Sequence, residues 1–317
     1  MARTPVIKAL TTPVPGAGLR IAEAGLLDDY DSRLTQSSDW PVAAGDVASR
    51  ATRFLKGHKF LYGILGFAGF FSIWYVLTKF FSLPRFEFIP DPLFLFREWV
   101  SLEPKYGVSL FTPVYYEHIA VSTLRVYTAF AIAILVGTPL GILLGWNRFM
   151  RNLIFPVVEM LRPIPPLAWV PLAVLMLYGT EMLVIFVTML AAFFATVLNT
   201  YLGVRSIHES YFRAAACLGY NRWQVLIRVV VPGALPFIFT GLQIAMGVAW
   251  FSLVGGELIA GRSGLGYLIF DGYVQVALPN IFIGMITLGV LGYVSSAIIR
   301  KVGEWLMAWQ SKERGVA

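Results

Sequence analysis

The sequence predicts an all-α membrane protein with six transmembrane helices. Apolar residues make up 57% of the 317 positions and charged residues only 14%, whereas a soluble domain has roughly 45–50% apolar and 25% charged residues. A helix needs about 20 mostly apolar residues to cross a bilayer, and the chain contains six charge-free intervals of 18 to 28 residues. Intervals this long favour helices over the alternating strands of a barrel.

The positions of lysine and arginine orient these spans. If the amino terminus is cytoplasmic, 19 of the 25 basic residues fall in inner segments and 4 in outer ones, and short loops rich in basic residues stay in the cytoplasm. Both termini are therefore expected in the cytoplasm, and the net charge of +7 reflects this bias rather than a nucleic-acid partner. The expected spans are 60–80, 119–147, 160–180, 182–204, 233–258 and 279–300.

The remaining segments are polar and carry no catalytic signature. Residues 1–58 lack the apolar run of a signal peptide, so we expect a cytoplasmic extension at 1–58, a transmembrane domain at 59–305 and a cytoplasmic tail at 306–317. The only cysteine is Cys217 and the three histidines are far apart, and no zinc-hydrolase or nucleotide-binding motif occurs. We expect no catalytic residue, no metal and no cofactor bound by this chain.

Glycine and proline mark special features of two spans. Gly137, Gly141 and Gly145 recur every four residues, which places them on one helical stripe and predicts close packing of another helix. The third span begins with a proline-rich run that includes Pro165 and Pro166. Prolines extend and kink the chain there, and broken backbone at membrane depth is tolerated only against protein or a water-filled cavity. The third span is therefore predicted to face protein or a water-filled cavity, and Pro165 and Pro166 are candidate path or gate residues.

The segment from Ser206 to Pro232 is longer than a connection between two spans requires. It contains an alanine-rich helical patch, a glycine that ends the patch, and a second amphipathic stretch that a proline ends. This pattern predicts a cytoplasmic helix–turn–helix on which another protein docks, with a generic amphipathic loop as the alternative. The residues expected to make the contact are Arg213, Ala214, Ala215, Ala216, Gly219, Arg222, Trp223 and Pro232.

The same segment resembles a motif of the permease subunits of bacterial ABC importers. The family motif is Glu-Ala-Ala, three residues, Gly, nine residues, an apolar residue, one residue and Leu-Pro. Here Arg213-Ala-Ala, Gly219 and Val229–Pro232 stand at that spacing, with Arg213 in place of Glu and Val231 in place of Leu. Residues 162–169, 198–205, 235–242 and 256–267 also resemble the nitrate, sulfonate and taurine branch of this family.

The resemblance implies a fold, partners and a function. The fold is that of type I importer permeases in the bacterial inner membrane, and the 206–232 segment is the coupling loop. The implied partners are a second permease copy, two cytosolic ABC ATPase subunits that use ATP and Mg, and an external solute-binding protein. The implied solute is a small anion such as nitrate, a sulfonate or taurine. A secondary transporter or channel that works without ATPase subunits is the alternative.

Candidate path residues are the polar side chains within or near the spans. Arg125 and Glu257 are the charges nearest to being intramembrane, and an unpaired charge there costs about 3 kcal/mol or more. They are expected either to pair at the external mouth or to reach the interface separately, and Arg125 could instead meet an anionic solute. Asn199, Gln243 and Ser252 lie deeper and are candidates for the path, although helix–helix hydrogen bonds explain such residues equally well.

Overall fold

The computed structural model describes residues 59–79 and 89–307, and these residues form helices without any strand. The expected extension at 1–58 and most of the tail lie outside the described residues. The helices are α1 (Lys59–Lys79), α2 (Pro92–Trp99), α3 (Pro113–Trp146), α4 (Arg148–Leu161), α5 (Val170–Met176), α6 (Thr180–Arg205), α7 (Glu209–Cys217), α8 (Arg222–Val225), α9 (Val231–Ala260), α10 (Leu265–Val274) and α11 (Leu278–Leu306). The chain forms two units, Met1–Ile73 and Trp74–Ala317, and the sites described below belong to the second.

Five of the six expected spans fall on one long helix each. The helices that are long and apolar enough to cross a membrane are α1, α3, α6, the continuous stretch Arg222–Ala260, and α11. The expected third span, 160–180, is not a single helix. Its residues belong to the end of α4, a break, the 3₁₀ turn Pro166–Trp169 and α5. Counting α4 and Pro166–Met176 as one bent span brings the number to six.

The proline run explains the break in the third span. α4 and the Pro166–Met176 segment meet at an angle of 91°, and Pro165 has an extended backbone with φ −56° and ψ 136°. Proline removes a backbone donor and disfavours helical geometry for the residue before it. Because Pro163, Pro165 and Pro166 follow one another so closely, the chain cannot continue α4 as a straight helix.

Small residues let α3 pack closely on α6. A Cβ atom added at Gly141 would lie 2.6 Å from the Cβ of Thr200, and one added at Gly145 would lie 2.5 Å from the Cβ of Val204. Gly137 also faces α6. Because the residue numbers of both helices increase together along this contact, α3 and α6 run parallel. The stripe of three glycines therefore lies at a helix–helix contact.

α9 packs on another side of α6 in the opposite direction. Gly203 of α6 faces Phe237 near the start of α9, whereas Gly256 near the end of α9 faces Val184 near the start of α6. The first turn of α6 and the last turn of α9 therefore lie together, at the end opposite the 206–232 segment. With a rise of about 1.5 Å per residue, the two ends of the 26-residue helix α6 are about 38 Å apart.

Candidate translocation and coupling sites

A buried ion pair joins α3 to α9 at the end of the bundle opposite the 206–232 segment. The Arg125 Nη1 atom donates a hydrogen bond of 2.8 Å to Glu257 Oε1 and one of 2.7 Å to the backbone carbonyl of Ser263. Arg125 Nε donates to Glu181 Oε2 at 2.7 Å, and Nη2 also contacts Glu181 Oε1. The side chains of Arg125 and Glu257 are 2% and 0% exposed, whereas that of Glu181 is 61% exposed.

The Glu257 carboxylate has hydrogen-bond donors on both oxygens. Ser122 Oγ lies 2.8 and 2.9 Å from its two oxygens, and the backbone N–H of Gly266 donates to Oε2 at 2.8 Å. The backbone N–H of Leu265 donates in turn to Ser122 Oγ at 2.8 Å. A buried carboxylate is stable only when it is paired and hydrogen-bonded in this way. We call the group formed by Ser122, Arg125, Glu181, Glu257 and the 263–266 backbone the Arg125 cluster.

The Arg125 cluster holds α3, α6 and α9 together. Its cation, Arg125, is fully engaged and is not free to bind a solute. Arg125 and Glu257 lie side by side in the interior, so the expectation of two separate interfacial side chains does not describe them. Two carboxylates face one guanidinium, and an anion approaching Arg125 would meet the surplus negative charge of Glu181. Sequence reasoning missed Glu181, Ser122 and Ser263, although Glu181 was visible as the only charge separating two long apolar intervals.

A cavity of about 530 Å³ opens where the third span is broken. It is lined by α4, the break, α6 and α9, and this volume is within the usual range for small-molecule sites. Of the expected path residues, Pro166 and Asn199 line it, and the Asn199 Nδ2 atom donates to the Ala195 carbonyl at 2.8 Å. The cavity also contains Glu159 and Arg162, which sequence reasoning did not select.

The other expected path residues do not line this cavity. Pro165 lies exposed at the break, and Gln243 lies half-buried on α9. Ser252 is 1% exposed, and its Oγ atom donates to the backbone carbonyl of Val187 at 3.1 Å. The Ser252 hydroxyl therefore makes a hydrogen bond between α9 and α6.

The 206–232 segment forms two capped helices joined by a tight turn. At the end of α7 the backbone N–H of Tyr220 donates to the Ala215 carbonyl at 3.0 Å, and Gly219 has a φ of +73°. Glycine adopts this left-handed geometry without a steric penalty. α8 begins with a capping box, in which Asn221 and Gln224 exchange hydrogen bonds of 2.8 and 2.9 Å between side chains and backbone. These caps fix the direction of both helices.

The turn presents an exposed surface with mixed chemistry. Leu218 and Trp223 are 70% and 73% exposed. Arg213 forms an ion pair of 3.1 Å with Glu209 one helical turn earlier, and both side chains are about three-quarters exposed. Of the remaining expected contact residues, Ala214, Ala216 and Arg222 are exposed, Ala215 is buried, and Pro232 is half-buried in the first turn of α9.

A π turn over Leu226–Val230 joins α8 to α9 without a gap. The two helices and the turn form one continuous 39-residue stretch from Arg222 to Ala260. α8 is therefore continuous with α9, which carries Glu257 of the Arg125 cluster near its other end. At its other end, the 206–232 segment follows Arg205, the last residue of α6.

Comparison with known proteins identifies the family. The family described as "Binding-protein-dependent transport system inner membrane component" matches residues 137–312. The chain belongs to this family. It is 33% identical over 271 residues to the bicarbonate transport system permease protein CmpB of Synechococcus elongatus, covering 82% of this chain and 95% of that protein. It is 32% identical over 225 residues to the taurine transport system permease protein TauC of Escherichia coli, covering 71% and 81%.

A solved structure supports the fold class. A chain of the MetNI methionine ABC transporter, determined in inward-facing conformations, superimposes with a TM-score of 0.51 at 17% identity, covering 61% of this chain and 94% of that chain. Family and fold together confirm the expectation of an all-α, multi-pass membrane protein of the type I importer permease class. The chain is a permease subunit of an ABC importer.

Proposed function

We propose that two copies of this chain, with two cytosolic ATPase subunits, import a small anionic solute such as nitrate, a sulfonate or a taurine-like compound across the inner membrane. A solute-binding protein delivers the solute at the end that carries the Arg125 cluster. The names of two relatives, which refer to bicarbonate and taurine, support a small solute with an acidic group. The observation that carries the proposal is the exposed, doubly capped turn between α7 and α8.

Movement of the ATPase subunits acts on this turn. Closure of the ATPases, which bind and hydrolyse ATP with Mg, displaces α7 and α8, and the chain itself binds neither. Because α8 continues into α9, and only residues 206–208 separate α6 from α7, the displacement tilts both spans. Leu218 and Trp223 supply apolar contact area, and the capped ends keep the contact rigid.

The solute path follows the cavity at the broken span. Exposed apolar residues of α9, among them Ile244 at 48% and Phe251 at 76% exposure, continue from the cavity along the same helix. We propose that the second copy covers this surface and closes the cavity from the other side. The break at 162–165 is then tolerated because it faces the path and not lipid.

Substitution of Gly219 tests the coupling role. Its φ is +73°, and an added Cβ would meet no atom within 4 Å, so a substitution strains only the backbone. Valine is strongly disfavoured in this region, whereas asparagine adopts it readily. In proteoliposomes that contain the ATPase subunits and the binding protein, we expect Gly219→Val to lower ATP-dependent uptake at least tenfold and Gly219→Asn to retain most of it.

Cys217 provides a direct readout of assembly. It is the only cysteine of the chain and is exposed at the end of α7, so maleimide should label it in the isolated permease. ATPase binding should protect it in the wild type and in Gly219→Asn, but not in Gly219→Val. Unchanged uptake and protection in Gly219→Val would contradict the coupling role. Uptake driven by an ion gradient without ATPase subunits would favour a secondary transporter.

A further inference from the structure

The cavity at the broken span contains one acidic and one basic side chain that do not pair with each other. Glu159 and Arg162 both line it, three residues apart at the end of α4. In the part of the chain that the structure describes, neither side chain forms an ion pair or a hydrogen bond. Both side chains are exposed, so each charge is accessible to a ligand.

Arg162 differs from Arg125 in having no hydrogen-bond partner for its guanidinium among the described residues. The Arg125 guanidinium donates to two carboxylates and a carbonyl, whereas the Arg162 guanidinium is not engaged. Arg162 follows α4 as its C-cap residue, with its backbone N–H bonded to the Val158 carbonyl at 3.0 Å. The carboxyl end of a helix carries partial negative charge. This partial charge favours a solute cation near Glu159 and offsets part of the attraction of Arg162 for an anion.

The rest of the cavity is mainly apolar. Its lining includes Phe155 and Tyr201, whose rings pack 4.5 Å apart, together with Leu198 and Val248. Small-molecule sites commonly combine an apolar lining with a few polar groups that fix orientation. This arrangement suits a solute with a short hydrocarbon spacer between two charged ends.

We propose that this cavity accepts a zwitterionic solute, with its acidic group toward Arg162 and its ammonium group toward Glu159. A solute with a negative charge alone would gain the attraction of Arg162 but meet the repulsion of Glu159, and opposite charges at close range nearly cancel. A zwitterion pairs with both. The inference rests on the proposed function, because it assumes that the solute path passes through this cavity, and it narrows the solute to an amino sulfonate or amino acid.

The test compares two solutes that differ only in the ammonium group. Taurine carries a sulfonate and an ammonium, and ethanesulfonate lacks the ammonium. The complete importer, with its ATPase subunits and binding protein, is reconstituted in proteoliposomes and the initial uptake rate of each solute is measured at a saturating concentration. We expect Glu159→Gln to lower taurine uptake about tenfold and to leave ethanesulfonate uptake equal or higher. Arg162→Gln should lower both rates.

Arg148→Gln is the matched control for both variants. Arg148 is an exposed charge at the start of α4 that does not line the cavity, so neither rate should change in this variant. The same binding protein serves every variant, and calorimetry of that protein with each solute measures its own preference separately. A change in the ratio of taurine to ethanesulfonate uptake is therefore caused by the substitution in the permease.

The outcomes separate this inference from the proposed function. An unchanged uptake ratio in Glu159→Gln overturns the zwitterion site, as does a wild-type importer that transports nitrate, bicarbonate or ethanesulfonate but not taurine. In either case ATP-dependent uptake still supports the importer. If none of these solutes is taken up with ATP while the ATPase subunits are bound, both proposals fail.

Discussion

The two ends of α6 carry opposite kinds of polar structure. At one end the α7–α8 turn is built from residues that are close in sequence, and its side chains are exposed. At the other end, hydrogen bonds of the Arg125 cluster join Arg125 to residues 56 to 138 positions away, and Arg125 and Glu257 are almost fully buried. The exposed end is free for a partner to bind, whereas the buried end holds the helices in register. Substitutions in the exposed α7–α8 turn should impair coupling, and substitutions in the buried Arg125 cluster should impair stability.

The largest loss of stability is expected when Arg125, the cation that Glu181 and Glu257 share, is replaced. Arg125→Met leaves the fully buried Glu257 carboxylate without its charge partner, which typically costs about 3–5 kcal/mol. The variant should therefore unfold at a temperature lower by on the order of 10 °C. Thermal unfolding of the purified permease in detergent measures this shift.

Glu181→Gln is the control for this prediction. It removes the exposed partner of the same guanidinium, and an exposed ion pair contributes about 1 kcal/mol or less. The comparison would fail if both variants melted at the same temperature, because burial would then not distinguish the two carboxylates.

The next largest loss of stability is expected from a substitution in the 261–264 loop, which covers the Arg125 cluster. Gly264 has a φ of +117°, and a Cβ added there would overlap the Glu257 carboxylate. Gly264→Ala combines backbone strain of about 1–2 kcal/mol with overpacking of about 1–3 kcal/mol. We expect the free energy of unfolding to fall by about 2–5 kcal/mol.

Gly107→Ala isolates the backbone part of that loss. Gly107 also has a positive φ, +85°, but an added Cβ would meet no atom within 4 Å. The alanine variant should cost about 1–2 kcal/mol. Equal losses in the two variants would show that the carboxylate moves aside freely and that the cluster is less rigid than its hydrogen bonds indicate.

Sequence reasoning succeeded where structure is set by neighbouring residues. The turn after α7 could be predicted because Gly219 acts on its immediate neighbours. The expectation that a proline ends the second helix is wrong, because α8 continues past Pro232 into α9. Pairing of Arg125 with Glu257 was one of two alternatives, since no local pattern connects residues 132 positions apart. The role of Glu181 was missed because a charge between two spans was treated only as a boundary.

The third span shows a different limit. The proline run predicted a kink, and left open whether the span faces protein or a cavity. The structure shows the break, but its angle of 91° depends on how α4 and α5 pack against α6. Proline specifies where a helix stops and leaves the direction of the next helix to tertiary contacts. Of the two charges that line the cavity, Arg162 was used only for orientation and for the resemblance of residues 162–169, and Glu159 was not considered.

The smallest expected effect on stability is at the exposed end. Arg213 pairs with Glu209 across one turn of α7, and such pairs contribute about 0.3–0.5 kcal/mol, so Arg213→Ala should hardly change the unfolding temperature. Because Arg213 stands where the family motif has Glu, the variant should instead alter ATPase affinity, measured by titrating the ATPase subunit onto the labelled permease. A large stability loss with unchanged ATPase affinity would reverse the contrast between the two ends of α6, since the exposed residue would then be the structural one.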